Sequence, residues 1–187
     1  MKREIKILLF CSLLNGFAYT LFSPLYAIFV QHLDTDIFVI SSSWSVYVFI
    51  QGVIMIIFGK IEDYFKNKRF LVVFGYFLLA FGALGFTFVK TIPQLYVVQI
   101  INAIAYGILL PAWKASYSLL EDKGKESLEW SLLDGGNLVL ASFSALVGGY
   151  IVSHWGFSTL FYIIFVLQLM SALYSINLFR RMKHKKK

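Results

Sequence analysis

The chain has 187 residues, of which 59% are hydrophobic and only 14% charged, and its mean hydropathy is +0.74. A globule of that length cannot bury so much apolar surface beneath a polar exterior, so the composition excludes a water-soluble domain and implies an integral membrane protein. The net charge of +7 sits in short segments between apolar runs, a pattern that reports membrane orientation rather than a nucleic-acid partner.

Six apolar runs follow one another: Ile7 to Val30, Ile37 to Phe58, Phe70 to Val89, Ile92 to Trp113 with a tail to Leu120, Trp130 to Val152, and Trp155 to Phe179. Each is near the roughly 20 residues that cross a bilayer as a helix. The first begins MKREIKILLFCSLL, which imitates a secretory signal with Cys11 as a lipid attachment site. Phe10 is too bulky for the residue before a processed cysteine, and the run is about twice the length of a signal. It is therefore read as a retained helix. The single cysteine excludes an internal disulfide.

Basic residues mark one face of the membrane. Lys2, Arg3, Lys6, Lys60, Lys66, Lys68, Arg69, Lys123, Lys125 and the tail at 180–187, RRMKHKKK, all fall on one side of a six-helix topology, and Lys90 on the other. The positive-inside rule then places both termini in the cytoplasm, in the plasma or inner membrane, with the tail as a stop signal or a contact for anionic lipid.

The chain also repeats itself. Asn15, Ala18, Tyr19, Pro24 and Tyr26 of the first helix have the spacing of Asn102, Ala105, Tyr106, Pro111 and Trp113 of the fourth. Gly59, Ile61, Phe65 and Leu71 likewise line up with Gly149, Ile151, Trp155 and Phe161. The first and fourth helices cross in opposite directions, so the expected architecture is an all-helical 3+3 inverted repeat, 1–89 and 92–181, within a single membrane domain. Secondary transporters are built this way, with the solute site at the midplane between repeats.

The turn between the second and third helices, GKIEDYFKNKR from Gly59 to Arg69, resembles the corresponding loop of the major facilitator superfamily. Gly59, Asp63, Lys68 and Arg69 stand where that family places its glycine, aspartate and basic residues, while Tyr64 and Lys66 depart from it. The segment QIINAIAYG is similar to the family's fourth-helix motif in Ala103 and Ala105, with Gln99 in place of the usual arginine, and 148–161 looks like its fifth-to-sixth helix junction. The resemblance implies one six-helix half of such a transporter. It also implies that Asp63 gates the cytoplasmic side by facing the N-terminus of a partner's fifth helix, where the helix dipole favours a carboxylate; the alternative is a plain turn cap. A homodimer, or a second six-helix half, is the expected assembly.

Asn15 and Asn102 both fall near the midplane, with Tyr19 and Tyr106 one turn on. Gln99, Asn102 and Tyr106 share a face, as do Trp44, Tyr47 and Gln51, and Asn137 belongs to a small and polar stripe with Asp134, Ala141, Ser144 and Gly148. Asn15, Tyr19, Tyr47, Gln51, Gln99, Asn102, Tyr106 and Asn137 are the candidate solute-binding set; packing between helices is the competing use of such residues. The third run has almost no polar residue and is expected to face lipid. Lys114 and Asp134 should reach equal depth and form an intramembrane ion pair, with Asp134 the one deep carboxylate.

No metal or cofactor is called for: His32 and His154 are solitary, and HExxH, paired-cysteine and GxSxG patterns are absent. Catalysis is not expected. The function read from these features is alternating-access transport of a small organic solute among membrane lipids. The alternatives are a capture subunit docking on a separate energising complex, as in energy-coupling-factor transporters, and a non-transporting scaffold.

Overall fold

The computed structural model describes residues 3–33, 36–62, 68–120, 124 and 126–178. Helices account for nearly all of them. With no water in the hydrocarbon to bond its amides and carbonyls, an apolar segment must satisfy its backbone within itself. In order these are α1 (Arg3–Phe22), α2 (Tyr26–Gln31), α3 (Ile37–Glu62), α4 (Lys68–Phe86), α5 (Ile92–Ser118) and α6 (Glu126–Ser175). A 3-10 turn, Ser23–Leu25, joins α1 to α2 as one span, and another, Ile176–Leu178, follows α6.

No loop separates the fifth and sixth runs. α6 is two helices that meet directly at Gly156, whose φ of 78° and ψ of 174° are non-helical and suit glycine alone. Its two arms, 126–155 and 157–175, are the fifth and sixth spans. The two prolines of the sequence echo have different outcomes. Pro24 lies in the 3-10 turn between α1 and α2, whereas α5 continues through Pro111.

Hydrogen bonds between the spans fix their directions. Arg69, opening α4, bonds to Leu178 beyond α6, and Trp113, late in α5, donates to the Leu8 carbonyl early in α1. At the opposite end Tyr26 pairs with Ser43, and Ser42 with Tyr96. The first end carries Arg3, Lys6, Lys60, Lys68 and Arg69 and is called the basic end; Lys90 lies at the far end.

The inner spans are each held between two others. α5 packs on α3 and α4. α1 packs on both arms of α6: Ser144 Oγ of the first arm donates to the Phe17 carbonyl at 2.6 Å, and Ser171 Oγ of the second to the Cys11 carbonyl at 2.9 Å. α4 also meets α6, where the rings of Phe86 and Phe161 stack 5.2 Å apart. In its most apolar 18-residue stretch 56% of α4 is accordingly buried, against 6% for the corresponding stretch of α3. The lipid-facing third helix expected from its composition is thus only half of the picture, because an all-apolar helix can also serve as core. Phe70, Phe74 and Phe81 point outward while Leu71, Tyr76, Leu79 and Ala83 are buried.

The core divides into two layers. Toward the basic end Leu8, Cys11, Leu79, Ala105, Trp113 and Ala172 belong to one cluster. Toward the far end Ala18, Ala83, Val98, Phe161 and Ile164 belong to another. Between the layers lie Asn15, Asn102 and Gln168.

Small residues set the closest approaches. A Cβ on Gly148 would strike the Leu21 carbonyl oxygen, so the first arm of α6 touches the α1 backbone there. Gly148→Val should cost about 1–3 kcal/mol by overpacking, measured as a lowered midpoint for heat unfolding in detergent.

Candidate functional site

The band between the two layers is where the polar side chains converge. α1 supplies Asn15 and Tyr19, α5 supplies Gln99, Asn102 and Tyr106, α3 supplies Trp44 and Tyr47, and the second arm of α6 supplies Gln168; all line one cavity of about 60 Å³. Aromatic residues Phe22, Tyr26, Phe86 and Phe161 form its far-end wall. No acidic or basic residue lines it among the described residues. That volume admits several waters, one needing roughly 10–15 Å³, and is too small for most organic solutes.

Each repeated asparagine sits against a helix of the other repeat. Asn15 Oδ1 accepts from Gln168 Nε2 at 3.5 Å, joining α1 to the second arm of α6. Asn102 donates from Nδ2 to the Val98 carbonyl at 2.9 Å, and its amide lies over Gly82, where a Cβ would come within 2.5 Å of Oδ1. Glycine at 82 is what lets α4 come this near to the amide.

A second cavity of about 180 Å³ lies toward the basic end, lined by Ser12, Lys114, Trp130, Leu133, Asp134 and Asn137 among others. Asn15 and Tyr106 line both cavities. They form the partition between an uncharged compartment and a charged one.

Six of the eight sequence-derived binding candidates therefore meet in the first cavity, and two do not. Gln51 lies one turn beyond Tyr47, but its Nε2 turns along its own helix toward Met55 Sδ at 3.9 Å. Asn137 faces the second cavity and stands against Gly16. The Lys114–Asp134 ion pair is also not formed, since among the described residues no salt bridge joins them. Both are exposed and line the wall of the larger cavity, where water can solvate each charge and no direct pair is required.

Asp63 lies outside the described residues. Gly59, near the end of α3, would meet nothing with an added Cβ. Lys68 and Arg69 open α4. Arg69 Nη1 donates to the Leu178 carbonyl at 2.8 Å, capping the end of the last span.

Sequence reasoning missed three residues. Trp44, placed on one face with Tyr47 but left out of the binding set, lines the first cavity, and so does Gln168, a lone amide in an apolar run. Glu129, not Asp134, is the buried carboxylate: it is 1% exposed, and neither oxygen has a hydrogen-bond partner among the described residues.

The family model for the Major Facilitator Superfamily matches residues 8–187. The chain belongs to that superfamily. That superfamily is one of membrane transport proteins. Among solved structures it is similar to the POT family transporter PepTSo, crystallised in meso, with a TM-score of 0.77 and 14% identity. The match covers 94% of this chain and 37% of that one, and at this identity it shows a shared fold. The comparison with curated proteins finds no match. In this superfamily member the basic end of the fold is tied together by Arg69. Arg69→Met should cost about 1.5–3 kcal/mol, the range for a hydrogen bond to a charged group, and should speed amide exchange at 176–178.

Proposed function

We propose that the chain is one half of an alternating-access transporter for a small organic solute, with the basic end in the cytoplasm. The observation that carries this reading is the pair of compartments meeting at Asn15 and Tyr106. A solute site at the midplane, reached from one face at a time, needs such a partition.

The reading has a direct test in thiol labelling of a Cys11→Ser background. Ser23→Cys lines the first cavity and Ser12→Cys the second. Impermeant reagents should reach the first from outside and the second from inside, and a transported solute should shift the two rates in opposite directions. Labelling of both positions from one face would instead indicate an open pore, and the reading would fall.

We further propose that the partner half is a second copy of this chain. The two helices with open faces, α3 and the first arm of α6, carry matching stripes at a constant offset of 90: Ser41, Ser45, Gly52 and Gly59 against Ser131, Gly135, Ser142 and Gly149. Gly52, Gly59, Gly135 and Gly149 all have open space where a Cβ would be. Pairing the far end of α3 with the far end of the neighbouring arm, about a two-fold axis along the membrane normal, gives a register that also sets large against small. Val48 then meets Ser142, Gly52 meets Leu138, and Ile56 falls opposite Asp134, beside Gly135. Val48, Ile56 and Leu138 are exposed in the single chain, and small residues facing large ones favour close packing in lipid. An isologous contact of this kind closes a dimer.

Asp63 at the end of this stripe would then gate the cytoplasmic side together with Gly59, Lys68 and Arg69. In the Cys11→Ser background, Gly59→Cys with Ser131→Cys should yield an intermolecular disulfide on mild oxidation, whereas Gly59→Cys with Gly149→Cys, at opposite ends, should not. A particle of one chain per lipid disc with neither crosslink would reassign the open faces to a separate half.

A further inference from the structure

Two side chains in the first cavity have an unanswered hydrogen-bonding atom. Gln99 and Gln168 are 3% and 5% exposed, and both line the cavity. Among the described residues Gln168 Oε1, an acceptor, has no partner, and Gln99 Nε2, a donor, lies near the Tyr26 hydroxyl without forming a hydrogen bond of good geometry. The bond from Gln168 Nε2 to Asn15 holds the Gln168 amide in place. Leaving a buried donor or acceptor unmade is unfavourable, and buried polar atoms without partners inside a cavity point to a molecule that completes them.

The rest of the lining narrows the chemistry of that molecule. Around the two amides stand Phe22, Tyr26, Trp44 and Phe161, and no acidic or basic residue is present among the described lining. A net charge brought here would lose its hydration without meeting an opposite charge. Lys114 and Asp134 line the other cavity. The mouth is open past Tyr19 and Trp44, each 40% exposed, so a flat group can extend outward beyond the 60 Å³ of the cavity.

We propose that this cavity selects an uncharged solute carrying a planar group that both donates and accepts, such as a carboxamide, with an unsaturated or aromatic remainder against the phenylalanine and tryptophan rings. Gln99 donates to the carbonyl oxygen of the solute, and Gln168 accepts from its N–H. The proposal rests on the reading of this cavity as the solute site and adds the solute's class.

Benzamide, benzoate and benzamidine share one shape and differ in charge, so the full chain in lipid discs can be titrated with each while tryptophan emission is followed. Benzamide should quench or shift the emission, with the signal lost in Trp44→Phe, and should bind more tightly than either charged analogue. Gln168→Leu and Gln99→Leu should each weaken benzamide by about fivefold or more, the loss of one hydrogen bond. Gln168→Glu should transfer the preference to benzamidine. Equal binding of the three probes, tighter binding of a charged one, or indifference of benzamide to both leucine variants would overturn the proposal and leave the two amides as hydration sites only. Flux into proteoliposomes separates the two readings. Saturable benzamide binding without flux removes the transport reading and keeps this one, while flux of benzoate or benzamidine unaffected by Gln168→Leu does the reverse.

Discussion

The contacts of two asparagines determine how this bundle is put together. In hydrocarbon an amide needs a partner or a water, and here each repeated asparagine reaches a helix of the opposite repeat: Asn15 takes a bond from Gln168, and Asn102 lies over Gly82. These contacts lie where the two apolar layers meet. Packing alone would let apolar helices slide along one another, because one leucine face resembles the next. The amides define a level, and the two cavities lie on either side of it.

The same economy of contacts explains which helices are left open. α5 is enclosed by α3 and α4, and α1 by the two arms of α6, with α4 meeting α6 between them. The outer members, α3 and the first arm of α6, have no third neighbour. Both carry small residues at one spacing, and such residues stabilise a membrane helix only when another surface comes close enough to use them. The open faces and the half-walled cavity are therefore two aspects of one geometry. A second six-helix unit would cover the first and complete the second.

Charge is distributed on a different principle. Arg69 donates to the Leu178 carbonyl, where it caps a helix end. Lys114 and Asp134 stand on the wall of the larger cavity, where water accepts them. The first cavity is left neutral, its described lining made of amides, hydroxyls, aromatic rings and aliphatic side chains.

Much of this was legible in the residues themselves. Hydropathy and the runs of about 20 apolar residues dictate the membrane class and the number of spans, because a helix must match the bilayer thickness. The repeat of Asn15 and Tyr19 in Asn102 and Tyr106 pointed to the shared cavity, since equal spacing on a helix means an equal face. What periodicity cannot supply is the rotation of one helix against another. Gln51 shares a face with Tyr47 yet lines no part of the first cavity, Gln168 enters it from a run with no polar pattern, and Asp134, expected to be deep, is exposed while Glu129 is buried. Those outcomes follow from where α6 bends at Gly156 and how close its glycines bring it to α1. Local sequence determines the helices and their polar faces; only packing decides which faces meet, because that depends on backbone separations set by residues far apart in the chain.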